Sequence, residues 1–152
     1  MDTLVERLRK GKEETAKRCT DVAEKYTPTG VKVEYRKSLT GRAYGSQNRM
    51  AAPRPITRKA LYIFLHECAH FHLSHCSKKS RHVEEFEAEQ WAHEMMRQEG
   101  IRIPRSMTRR AKKYVAFKIE QALKRGAKKI DKKAAKWSGS IELVEIYGAT
   151  LV

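Results

Sequence analysis

Apolar residues recur at helical spacing through residues 3–26, where Val5, Leu8, Cys19, Val22, Ala23 and Tyr26 share one side. Thr27-Pro28-Thr29-Gly30 interrupts that spacing as a turn. Val31-Lys32-Val33-Glu34-Tyr35 then alternates, the pattern of a half-buried strand. Gly41, Gly45 and Asn48 mark turns, and Arg49-Met50-Ala51-Ala52 reads as a second short strand before Pro53. A helix is expected from Thr57, whose hydroxyl can cap it, to about Leu73, with Pro55 left outside. The run Glu84–Ala92 reads as a second helix that ends by Gly100, with Glu85, Ala88, Ala92 and Met95 on one stripe. A third, over about 108–125, has the inner stripe Ala111, Val115, Ile119 and Ala122 and stops at Gly126. Asp131 can cap a short helix ending near Trp137, and Ile141–Tyr147 reads as a final strand. The pattern predicts a single α+β domain over residues 1–152, with a core over about 27–100 and a helical extension over about 101–152.

The expected helix at 57–73 carries His66-Glu67-Cys68-Ala69-His70 behind the apolar run Leu61–Leu65. Positions four apart lie on one helix face, so His66 and His70 can hold one zinc ion together. Glu67 stands beside the first of them, within reach of an attacking water, where it can serve as general base. Burying three ionisable groups among Phe64, Leu65 and Phe71 is costly unless something pairs them. A catalytic zinc needs a third protein ligand. Glu85 interrupts an otherwise small, apolar stripe, and ligation gives it a reason to be there. Glu89, one turn on, can orient a histidine through its free ring nitrogen. Glu84 and Glu87 point to the sides and are expected to be solvated; Glu84 becomes the ligand if the helix is rotated by one residue.

His66-Glu67-Cys68-Ala69-His70 followed by Glu85-Phe86-Glu87-Ala88-Glu89-Gln90-Trp91-Ala92 resembles the gluzincin metallopeptidases, over roughly residues 45–97. The pattern is similar to that of HtpX-like and CAAX prenyl peptidases, the ImmA/IrrE family and the single-domain minigluzincins. No transmembrane segment accompanies it here, which leaves the soluble types. The resemblance implies a zincin-like fold with an active-site helix and a small sheet. It implies one zinc per chain on His66, His70 and Glu85, with Glu89 behind the ligands. The activity implied is endopeptidase hydrolysis of a protein or peptide, with Glu67 as base. It also implies a sheet edge beside the zinc helix, for which 44–52 is the candidate, where an extended substrate adds as a strand.

Two other zinc patterns are weaker. The extended metzincin pattern needs Gly at 73 and His at 76, where this chain has Leu73 and Cys76. An SprT-like site would take His82 as third ligand, and such proteases act on DNA-bound proteins. His72, His75 and His93 read as ordinary surface or partly buried residues. Tyr114, Tyr147 and nearby arginines are candidates to stabilise the transition state.

Charge adds a partner. The chain has a net charge of +15. Residues 102–136 are its most basic part, a surface suited to nucleic acid or an acidic partner, or simply a solvated face. A competing reading is therefore a zinc-containing nucleic-acid-binding protein without peptidase activity. Three cysteines (Cys19, Cys68 and Cys76) without a CxxC pair, and a start lacking a hydrophobic run, point to a reducing cytoplasm.

Overall fold

The computed structural model describes residues 1–75 and 79–152; Cys76, named above, lies outside them. Helix α1 (Leu4–Tyr26) opens with a reciprocal cap between Thr3 and Glu6. Its C-terminal half is anchored by Cys19, Val22 and Ala23 in the core. Lys25 and Tyr26 both reach Glu99 Oε1, at 2.6 and 2.7 Å. Leu4, Val5 and Leu8 continue the same stripe but are exposed. The sheet that follows contains β1 (Lys32–Arg36), β2 (Arg42–Tyr44) and β3 (Arg49–Pro53), in the order β1-β3-β2. Strand β3 lies parallel to β1 and antiparallel to β2. The candidate edge at 44–52 is thus corrected: β3 is the central strand, and β2 is the edge nearest the histidine helix.

Helix α2 (Arg58–His72) is the middle of the molecule. Thr57 Oγ1 accepts from the Ala60 amide at 3.1 Å, the expected cap. Every residue from Ala60 to Ala69 is buried. A helix apolar on all sides must be enclosed on all sides; here the sheet, α1 and α3 (Arg81–Gln98) enclose it. Helix α4 (Arg105–Lys124) then crosses the domain. Met107 and Ala111 join the main core, whereas Val115, Ile119 and Leu123 enter a second cluster. That cluster is completed by β4 (Lys129–Ile130), α5 (Lys132–Ser138), α6 (Ile141–Ile146) and β5 (Thr150–Leu151). Asp131 caps α5 as expected, through the Ala134 amide at 2.8 Å.

The strand expected at Ile141–Tyr147 is a helix, α6. Only Val144 is fully buried there, and Gly148 ends the helix with φ +68°. A run of seven mixed residues is too short for periodicity to separate the two states. The fold class is α+β, as expected. No helix among the described residues is long and apolar enough to cross a membrane.

Candidate metal centre

Helix α2 places His66 and His70 one turn apart, and α3 brings Glu85 against them. His66 Nε2 and His70 Nε2 are 3.3 Å apart. Glu85 Oε2 lies 3.0 Å from the first and 3.5 Å from the second. Metal–ligand bonds of about 2.0–2.1 Å in a tetrahedral shell put neighbouring donors about 3.3–3.4 Å apart. The three atoms therefore outline one face of such a shell. Glu85 Oε2 is buried without a hydrogen bond, a costly state for a carboxylate oxygen unless a cation shares it. These three residues are compatible with one metal ion.

The ligand candidates are held from behind. Glu89 Oε1 lies 3.0 Å from His66 Nδ1. The Tyr62 hydroxyl donates to the other oxygen of Glu89 and sits 3.1 Å from His93 Nδ1. His93 Nε2 in turn meets Thr108 Oγ1 of α4 at 3.0 Å. Glu89 thus lies beside the His66 ring nitrogen that faces away from Glu85. His70 has its own support, which the sequence reading missed. Ser74 adopts a left-handed turn (φ +51°), and His75 N–H closes on the His70 carbonyl at 2.9 Å. The turn folds His75 back, so that its Nδ1 lies 2.9 Å from His70 Nδ1. With an ion on His70 Nε2, the remaining His70 N–H donates to His75. Nothing periodic announces this contact, because His75 lies past the helix end. Arg81 donates to Glu85 Oε1 at 2.9 Å and fixes the carboxylate from the solvent side.

The other sequence candidates separate clearly. His82 Nε2 accepts from the Asp131 amide at 3.1 Å and is not among the converging donors. His72 stacks on Trp91 and contacts the Tyr26 carbonyl at 2.7 Å. Glu84, expected to be solvated, is buried and lines the cleft, because the start of α3 is closed in on more than one side. Glu87 is half-buried and paired with Lys79 at 2.7 Å. Tyr147 is exposed. Tyr114 lines the cleft on α4, its ring centroid 6.5 Å from that of His66. Cys68 is a buried thiol packed 4.0 Å from Met50 Sδ, and burial pushes its pKa up, so it is a core residue and not a nucleophile.

Electrostatics follow from this crowding. Burial alone would strip His66 of its proton, but Glu89 and Glu85 outweigh it and hold the imidazole pKa well above its ordinary value. Burial also opposes ionisation of Glu85, yet the adjacent His66 and His70 imidazoles keep its carboxyl well below the usual range. Glu67 differs: burial pushes its pKa up, and the two histidines only partly offset that. A carboxylate raised in this way is a better base.

The centre opens onto a cleft of about 360 Å³. Glu67 forms part of its wall, and Gly41, just ahead of β2, lines it directly against the glutamate. A Cβ on Gly41 would stand 2.7 Å from Glu67 Cγ and 3.0 Å from the Ala51 carbonyl oxygen. Only glycine lets the strand approach the glutamate so closely. Gly41→Ala is expected to keep the metal and displace Glu67, at an overpacking cost of about 1–3 kcal/mol. Metal analysis and thermal unfolding of the variant check both halves.

Set against known protein families, curated proteins and solved structures, the chain matches none.

Proposed function

We propose that the chain is a zinc-dependent endopeptidase. The observation that supports this reading best is the convergence of His66, His70 and Glu85 on one point, with the ionisable, buried Glu67 beside them and an open cleft in front. A purely structural zinc site is closed by four protein ligands and has no use for such a glutamate. Zinc suits two imidazoles and a carboxylate with one position left open.

When bound, zinc supplies Lewis acidity, which polarises the scissile carbonyl and eases ionisation of the attacking water. Glu67 removes the proton from that water and passes it to the departing amine nitrogen. Tyr114 lines the same cleft, and in this reading its hydroxyl serves as the donor to the oxyanion. Among the described residues strand β2 pairs with β3 on one side only, and its residues Arg42 and Ala43 line the cleft. An extended peptide can add along that edge, which sets its carbonyls in register with the centre.

Tyr114→Phe removes one donor and leaves the ring in place. It should lower kcat by about 10²–10³-fold with zinc content unchanged. Steady-state kinetics on a cleaved peptide check it; unchanged kcat would remove Tyr114 from the reaction.

A further inference from the structure

A second cavity of about 670 Å³ adjoins the metal cleft, and Arg81 and Lys118 line both. Its remaining wall includes His82, Gln121 and Arg125, and no aspartate or glutamate lines it. Arg81 spends part of its guanidinium on Glu85. Lys118 and Arg125 form no ion pair with a carboxylate among the described residues. Lys118 is held instead against the Tyr114 and Phe117 rings, with centroids at 5.4 and 5.7 Å, and donates to Gln121 at 3.2 Å. His82 sharpens the picture. It is 2% exposed, and its Nε2 accepts from the Asp131 amide. The ring proton therefore sits on Nδ1, a buried donor with no acceptor among the described residues. The amino end of α3, an 18-residue helix without a side-chain cap, borders the same space. Every charged side chain that lines this cavity is positive.

We propose that this cavity is a substrate subsite for an acidic side chain close to the scissile bond, so that the substrates are polypeptides with aspartate or glutamate beside the cleavage point. This rests on the peptidase reading given above. A carboxylate here would meet Lys118 and Arg125 as charge-assisted donors. Arg81 couples the two sites physically, because the residue that borders the subsite also braces Glu85. An acidic peptide is favoured over a nucleic-acid strand because the cavity shares its wall with the metal cleft. A ligand in one lies beside a backbone in the other.

The test uses the zinc-loaded Glu67→Gln protein and two fluorescent peptides with blocked ends. They are identical except for two aspartates in one and two asparagines in the other. Anisotropy should show the acidic peptide binding about tenfold more tightly, the effect of one charge-assisted hydrogen bond. Lys118→Gln and Arg125→Gln should each shrink that ratio, and Lys118→Glu with Arg125→Glu should invert it, while zinc content stays the same. Equal binding of the two peptides, or a ratio indifferent to these substitutions, would overturn the proposal. So would displacement of the acidic peptide by a single-stranded oligonucleotide that binds more tightly through the same residues. Failure of the peptidase reading looks different: zinc would be absent from the sample, or no peptide of either kind would be cleaved by the wild-type chain.

Discussion

Glu85→Ala is expected to empty the metal centre. The carboxylate is the donor that α3 sends to the point where His66 Nε2 and His70 Nε2 meet, and its Oε2 has no hydrogen-bond partner among the described residues. The loss of zinc affinity should exceed the effect of Glu89→Gln, which disturbs only the group behind His66 and should cost about 10–100-fold. Glu84→Ala and His82→Ala should leave the affinity nearly intact, although both side chains are buried. Competition titrations against a chelator rank the four. If His82→Ala empties the site and Glu85→Ala does not, the ligand set is wrong. The titrations should also depend on pH. The His66 pKa is raised in the ion-free protein, so zinc must displace a proton to bind. Affinity should therefore fall as pH falls, with protons released on binding.

Glu67→Gln is the second large effect. The amide keeps the shape of the side chain against Gly41 and cannot accept the water's proton. Peptide hydrolysis should drop by about 10²–10⁴-fold, the usual contribution of a general base. Zinc content should be unchanged, because Glu67 is not one of the three converging donors. Burial raises the Glu67 pKa, so the variant should also be no less stable than the wild type near neutral pH. Single-turnover assays with equal amounts of both proteins measure the drop. Full activity in the variant would remove Glu67 from the chemistry.

Much of this centre is legible in the chain before folding. Thr57 and Pro55 locate α2, and four-residue spacing then pairs His66 with His70. Glu85 stands out because it is the charged residue of a small, apolar stripe. What the sequence hides is whatever depends on a neighbour far away in the chain. Glu84 is as buried as Glu85, because the start of α3 meets other elements on two sides, and a single-helix pattern has no means of expressing that. His75 acts through a turn beyond the helix end. Gly41 reads as a plain turn residue until β2 is seen against Glu67. The edge expected at 44–52 failed for a related reason: the strand at 49–53 is flanked on both sides, and only pairing reveals which strand lies outermost. Val5 and Leu8 fit the α1 stripe but stay exposed, because the core reaches only the second half of that helix.

His66, His70 and Glu85 are expected to hold zinc together. Elemental analysis of the purified chain, followed by a zinc titration of the chelated protein, measures it directly and needs no substrate. The expected result is about one zinc per chain, taken up again after removal and lost in His70→Ala. A chain purified without metal that also fails to take up added zinc would contradict the account.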